Sequence, residues 1–468
     1  MHVRRPTPAR GARTRSGRRA APITGDPVTS PRLDKPAPAF VADEKTARTA
    51  ATAALVGTAM EWYDFFLFTT ASALVFNVQF FDKGDPFLAS LSSFATMAVG
   101  FVARPIGGLI FGHLGDRVGR KTVLMITIVG IGITTGLIGV LPNYATIGVA
   151  APVLLVVLRI CQGLAVGGEW GGAVTAAVES APAEKRARYA AYPQIGSPIG
   201  TLLSSGGFFL VGLLITQPGA FDSWGWRIPF LLALPLLLVA VYVRSKLEET
   251  PVFQEIEAEH EKAAAPIVQV LKHSWLQVIV GFGTNFVGLG GFFLVTTFVV
   301  SYGKNTLGLS NSLMLGATLV AAACEILIIV FFGRLGERWG AAKVSTFGGI
   351  ATVLVAFPIF LMVDTKQPLL VILGMTIGVC CLSIPYAVNG ALLTALFPAH
   401  YRLSGVSLCA NISAIFAGFI PMLATAFQHM AGDAWWPAPI MLVVIAGITA
   451  VCSVLAPRLS IDVPGYRH

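Results

Sequence analysis

Stretches of about 20 apolar residues, long enough to cross the hydrocarbon of a bilayer, recur along this chain with short polar segments between them. Twelve fall near residues 50–76, 87–111, 122–141, 147–172, 188–215, 227–244, 275–300, 308–332, 343–363, 368–395, 405–430 and 436–456. In lipid the backbone N–H and C=O groups must be satisfied within the segment, so each stretch predicts a helix. The ten-residue alternation of a membrane β-barrel does not occur. An even number of spans puts both chain ends on one side of the membrane.

The polar segments carry a repeat. Gly112-His113-Leu114-Gly115-Asp116-Arg117-Val118-Gly119-Arg120-Lys121 lies between the second and third stretches. Its weaker copy, Gly333-Arg334-Leu335-Gly336-Glu337-Arg338-Trp339-Gly340, comes 221 residues later, between the eighth and ninth. Pro182-Ala183-Glu184-Lys185-Arg186 after the fourth stretch is echoed by Pro398-Ala399-His400-Tyr401-Arg402 after the tenth. Two echoes in the same order point to a duplicated half, and paired halves around a midplane site are a transporter design. The predicted fold class is an all-α membrane protein, with twelve transmembrane helices in two six-helix pseudo-symmetric bundles. The predicted boundaries are a tail at 1–48, a first bundle at 49–245, a linker at 246–273, a second bundle at 274–457 and a tail at 458–468.

Composition agrees. Charged residues make up 12% of the chain and apolar ones 55%, against roughly 25% charged in a soluble domain. The net charge of +9 is concentrated in the first 48 residues, with Arg4, Arg5, Arg10, Arg13, Arg15, Arg18, Arg19, Arg32, Lys35, Lys45 and Arg48. This Pro- and Ala-rich segment reads as a disordered topogenic tail rather than a site for nucleic acid or anionic lipid. Lys and Arg crowd alternate loops (Arg117, Arg120, Lys121; Lys185, Arg186, Arg188; Arg244, Lys246, Lys262, Lys272; Arg334, Arg338, Lys343; Arg402) and are sparse in the others. The positive-inside rule therefore places both termini in the cytoplasm of a multi-pass cell-membrane protein. Trp224, Trp226, Trp435 and Trp436 are expected in an aromatic belt at the outer surface. The six cysteines lie in apolar stretches and read as buried small hydrophobes. The scattered histidines predict no metal site, and no cofactor is expected. The absence of a Gly-x-x-x-x-Gly-Lys-Ser/Thr loop argues against an ATP-driven pump.

The first loop resembles the Gly-x-Leu-x-Asp-Arg-x-Gly-Arg-Lys signature of the major facilitator superfamily, in the place between spans 2 and 3 where that family has it. Arg159-Ile160-Cys161-Gln162-Gly163 is similar to the family's Arg-x-x-Gln-Gly element in span 4. Glu61-Trp62-Tyr63-Asp64-Phe65, Arg104-Pro105-Ile106-Gly107, Gly167-Gly168-Glu169-Trp170-Gly171, Pro193-Gln194-Ile195-Gly196-Ser197-Pro198 and Gly225-Trp226-Arg227-Ile228-Pro229-Phe230 resemble its metabolite:proton symporter branch. The resemblance runs from about residue 50 to 456 and implies proton-coupled import of a small organic acid by alternating access. Members of that branch carry shikimate, α-ketoglutarate, citrate, or proline and betaine. The implied partners are the acid, protons and the lipid bilayer, and the implied unit is a monomer without enzymatic chemistry. The resemblance also implies that Gly112, Asp116, Arg117, Gly119 and Arg120 form a gate that shuts against span 11. Arg338 is the counterpart in the second loop, where Ala341-Ala342 replaces the final Arg-Lys pair. The rival readings are an osmoprotectant symporter, an efflux antiporter and a non-transporting sensor.

An ionised group in the hydrocarbon core costs roughly 2.5–3.5 kcal/mol, so charges inside spans are candidates for function. Glu61 and Asp64 share one face near the middle of span 1, and Arg159 lies at similar depth in span 4. A carboxylate whose arginine partner can be drawn away has two proton affinities, which is what loading and releasing a proton requires. Pairs of Arg159 with Asp64 and with Glu61 are both open, as is a permanent structural pair; Asp64 is preferred as the proton carrier. Glu169 reads as a second proton carrier or as a partner of Arg104. Arg104 suits a substrate carboxylate, or anchors Glu169 or the Asp116 loop. Ser404-Gly405 reads as the N-cap of span 11, whose N-terminus attracts an acid. Glu325 in span 8 is open to coupling, substrate and structural roles. Gln194, Asn285, Asn389 and Asn411 are polar candidates for the cavity or for interhelical bonds, and Trp62, Tyr63, Phe65 and Phe66 are candidates for its aromatic wall, with lipid contact the other reading of the phenylalanines. The glycines of span 4 predict close helix packing, and Pro198 and Pro385 predict kinks.

Overall fold

A computed structural model describes residues 44–81, 84–118, 120–167, 174–175, 177–178, 181–215, 217, 219–246, 266–398 and 401–460. Within them run α1 (Glu44–Ala71), α2 (Pro86–Val118), α3 (Arg120–Val140), α4 (Ala150–Val166), α5 (Arg186–Leu214) and α6 (Arg227–Lys246). The second set is α7 (Trp275–Asn305), α8 (Asn311–Trp339), α9 (Ala341–Asp364), α10 (Pro368–Ala395), α11 (Arg402–Met430) and α12 (Pro437–Leu459). There is no strand among the described residues. A π-helical turn, Ser72–Phe76, extends α1, and two more, Val287–Gly291 and Leu294–Phe298, interrupt α7. Such turns gather at functional sites.

The packing repeats with a shift of six helices. α1 lies against α5 as α7 lies against α11, α2 against α4 as α8 against α10, and α3 against α6 as α9 against α12. Across the halves, α2 packs on α11 and α8 on α5, which is the same relation again. Leu109, Leu238, Leu327, Leu354 and Leu369 are exposed on the flanks, where bilayer hydrocarbon is their solvent.

Glycines set the α2–α4 contact. A side chain on Gly163 would strike the Gly100 carbonyl, and one on Gly167 would strike the Arg104 carbonyl. The helices therefore approach backbone to backbone, as small residues allow. Gly100 also leaves the room that the Arg159 side chain occupies.

Several expectations change. α1 already begins at Glu44, inside the stretch assigned to the tail. Trp226 is fully buried rather than part of a belt. Its ring meets Phe76, Phe80 and Phe230, and Arg227 caps it at 4.5 Å while donating to the Gly139 and Leu141 carbonyls. Trp224 and Trp436 are exposed, as belt residues should be. Cys161 is exposed on the flank of α4 and only Cys409 is buried, because lipid asks a side chain to be apolar, not enclosed. α11 starts at Arg402, so Ser404 lies in its first turn and is not the cap. The chain turns early because the Tyr401 hydroxyl meets Ser274 Oγ at 2.9 Å and Arg402 Nε donates to the Phe397 carbonyl. Pro198 and Pro385 sit inside α5 and α10. The basic tail and most of the linker lie outside the described residues.

Candidate functional site

Midway along α1 a pocket opens between the two halves. α1 supplies Glu61 and Trp62, α2 supplies Phe101 and Arg104, and α7 and α11 supply Asn285 and Asn411. An Arg104 guanidinium nitrogen lies 3.6 Å from Glu61 Oε1, with the two side chains 15% and 8% exposed. That is longer than a charge-assisted bond of roughly 2.7–2.9 Å, so the pair is loosely held and reachable from the pocket. The guanidinium also sits 5.0 Å from the Phe101 ring and 5.6 Å from the Phe65 ring.

A second, drier cluster borders the other side of Phe65, whose ring is also 5.6 Å from the Arg159 guanidinium. Asp64 Oδ1 accepts from the Thr135 hydroxyl of α3, and Oδ2 accepts from Gln162 Nε2 of α4 at 2.7 Å. Gln162 Oε1 in turn accepts from Arg159 at 2.5 Å. Arg159 and Gln162 are one turn apart on α4 and so present one face. The Arg159 guanidinium rests 4.1 Å from the Phe68 ring centre, and its Nε has no hydrogen-bond partner. Asp64 and Arg159 are thus brought together, but through an amide, and Glu61 is held by Arg104 rather than Arg159.

The other candidates divide. Trp62 lines the pocket and stacks on Phe66 at 5.0 Å. Tyr63 turns away, donating to the Pro229 carbonyl at 2.8 Å. Asn389 of α10 donates to Asn285 Oδ1 and stands behind it. Gln194 donates to the Tyr386 carbonyl at 3.2 Å, tying α5 to α10. Glu325 is buried off the pocket with Oε2 unpartnered. Glu169 and Gly119 lie outside the described residues, as do the surroundings of Gly112 and the side chains of Asp116, Arg117 and Arg120. In the second loop Arg338 is exposed. Its neighbour Glu337 makes the cross-half contact instead, to Arg188 of α5 at 2.8 Å.

Sequence reasoning missed Thr135, Gln162, Arg188 and Glu337 as site residues. Gln162 carried a signal, its three-residue spacing from Arg159; Thr135 carried none. Toward the later end of α1 the pocket is roofed by aromatic rings from both halves. Phe65 lies 5.2 Å from Phe293, and Phe66 lies 5.2 Å from Phe292. Beyond them Lys304 of α7 donates to the Leu74 carbonyl, closing α7 onto the π-helical turn of α1.

Residues 54–373 match the Major Facilitator Superfamily. The chain is 38% identical over 419 residues to the Shikimate transporter of Escherichia coli K12, covering 87% of this chain and 94% of that one. It is 33% identical over 415 residues to the Proline/betaine transporter of Salmonella typhimurium LT2, covering 86% and 82%. A crystal structure of a D-xylose-proton symporter superposes with a TM-score of 0.67 at 17% identity, covering 90% of this chain and 99% of that one. With α1 to α12 paired as two six-helix halves around a central pocket, the chain is a membrane transporter, not an enzyme, and belongs to the major facilitator superfamily.

Proposed function

We propose that the protein imports a small organic acid together with protons by alternating access, as a monomer with both termini in the cytoplasm. The Arg104–Glu61 pair on the pocket wall carries this reading. A guanidinium presents a fork that matches a carboxylate, so a substrate carboxylate can take the place of Glu61 on Arg104. Asp64 is the proton carrier in this reading. Protonation removes the charge that Thr135 and Gln162 serve, and Gln162 passes the change to Arg159 through its other amide atom. The crowding of Lys and Arg in alternate loops supports the cytoplasmic placement of the termini. The Arg188–Glu337 pair is a contact of the cytoplasmic gate in this reading, and Asp116 is assigned to the same gate from its place in the repeated loop.

The test is uptake into proteoliposomes of shikimate, a dicarboxylate, citrate, betaine and proline, with an inward proton gradient. Acid uptake that the gradient accelerates and a protonophore stops is the expected outcome. Uptake indifferent to the gradient, or no uptake of any acid, overturns the reading. Betaine is the second reading, because Trp62 and Phe101 line the pocket beside Glu61 and aromatic faces hold quaternary ammonium groups. Selective uptake of betaine in the same panel establishes it.

A further inference from the structure

A second cavity lies beyond the aromatic roof of the first, between α1 and α5 of one half and α7 and α8 of the other. α1 and α7 change character in the same order along their length. Each passes from a pocket residue (Glu61, Asn285) to aromatic rings (Phe65 and Phe66, Phe292 and Phe293) and then to hydroxyls (Thr69 and Thr70, Thr296 and Thr297). Each then reaches the Leu74–Lys304 closure. The second cavity therefore lies next after the inner pocket in the order of both helices.

Its wall has one chemistry. Among the described residues that line it there is no charge and no amide, only hydroxyls, apolar side chains and the Phe66 and Phe292 rings. Thr69, Thr201, Thr296 and Thr318 are buried and donate to carbonyls of their own helices, to Phe66, Ser197, Phe292 and Met314. A hydroxyl has one proton and two lone pairs, so these four spend the proton locally and keep acceptor capacity for the chamber. Thr70 and Ser205 meet at 3.3 Å across α1 and α5. Such a wall suits a ligand that brings O–H donors and a ring face. An ionised carboxylate brings only acceptors and finds no cation there.

We infer that this chamber is a second substrate station, one aromatic layer from the inner pocket, and that it binds the hydroxylated, uncharged face of the substrate. The proposal rests on the organic-acid reading and narrows it: the substrate is a polyhydroxylated carboxylic acid rather than a bare dicarboxylate. Arg104 takes the carboxylate in the inner pocket, and the chamber takes the hydroxyls once the substrate has passed the aromatic layer.

The test compares KM for uptake of shikimate, a trihydroxy ring acid, with KM for the hydroxyl-free cyclohexene carboxylate. The variants are Thr201→Val with Thr318→Val, which remove two hydroxyls at nearly constant volume, and Thr201→Ser with Thr318→Ser, which keep them. The Val pair should raise the shikimate KM about tenfold, as expected for two neutral hydrogen bonds, and leave the hydroxyl-free acid unchanged. The Ser pair should restore the wild-type value. Equal shifts for both acids, or no shift for either, overturn the proposal. A wild-type protein that takes up neither acid refutes the organic-acid reading alone. The chamber is then judged by calorimetric titration of the wild-type protein with myo-inositol, a neutral cyclitol, which also serves if the Val pair does not fold. Saturable binding supports the chamber, and its absence overturns it.

Discussion

In the first half, Gln162 of α4 donates to Asp64 of α1; in the second, Asn389 of α10 donates to Asn285 of α7. The helices are repeat equivalents, and Asn285 follows Asp64 by the same 221 residues that separate the two charged loops. By that offset Glu325 on α8 stands where Arg104 stands on α2. The duplicated halves thus keep a polar bond to the same position of their first helices, from donors at different positions of their fourth, and differ in whether it can titrate. Asp64 can take a proton, and an Asn pair cannot. Arg104 meets Glu61 at the pocket wall, while Glu325 is enclosed with Oε2 unpartnered. A neutral amide bond contributes about 1 kcal/mol and costs little to bury, whereas a buried charge must be matched. Charge handling is therefore concentrated in one half, and the other offers neutral contacts.

The hardest test of that division makes the first half resemble the second. Asp64→Asn keeps the shape and leaves an amide pair like Asn285–Asn389. Gradient-driven accumulation should disappear while exchange of substrate across the membrane persists, as measured by counterflow in proteoliposomes. Full accumulation by Asp64→Asn removes Asp64 from the coupling step and returns Glu61, Glu169 or Glu325 to it.

Next in size is the pocket wall. Arg104→Ala leaves the half-buried Glu61 without this cation and deletes the carboxylate fork, so initial uptake should fall about a hundredfold, as expected for charge-assisted bonds lost to the substrate carboxylate. Asn285→Ala removes one neutral contact and should cost about tenfold or less. Uptake rates of the two variants decide. If Asn285→Ala is the more damaging, the division of labour is wrong.

The amide between Asp64 and Arg159 gives a smaller and sharper effect. With Gln162 present, a double-mutant cycle on Asp64→Asn and Arg159→Gln, read as uptake rates, should show losses smaller than additive. In a Gln162→Met background the coupling should shrink toward additivity, because the hydrogen-bonded link between the two is gone. Interaction energy that survives Gln162→Met means that the charges act on each other directly.

Most of the fold was legible because lipid demands long apolar stretches, and the loop repeat gave the symmetry. Charged residues inside spans drew attention by their cost, and Glu61, Asp64, Arg104 and Arg159 do gather around one aromatic ring, that of Phe65. Their pairing was not legible. Sequence spacing fixes the face a residue shares with its own helix, not the rotation of that helix against its neighbours. Glu61 was therefore free to meet Arg104, and Gln162 to stand between Asp64 and Arg159. Thr135 looks like its neighbour Thr134, and only the structure shows which one reaches Asp64. The π-helical turns of α7 shift its register with no sequence sign, and whether Trp226 folds inward depends on Phe76, Phe80 and Phe230, far from it along the chain.

The smallest expected effect compares the halves at the loops. Glu337 follows Asp116 by 221 residues, and its partner Arg188 belongs to the opposite half. The 2.8 Å contact is short, but Arg188 is 34% exposed, against 14% for Glu337. Water screens such a pair, which contributes up to about 1 kcal/mol, or roughly fivefold in a conformational equilibrium. Arg188→Ala should therefore raise the labelling rate of a cysteine introduced at Ser407, on the pocket wall, by about two- to fivefold, with the native cysteines replaced. Exchanging the charges, Arg188→Glu with Glu337→Arg, should return the rate toward wild type. Asp116→Asn should raise it in the same direction if the first loop is the matching latch. A rate that responds to Asp116→Asn and ignores Arg188→Ala would confine the latch to the first half, and the loops would then diverge in function as Asp64 and Asn285 do.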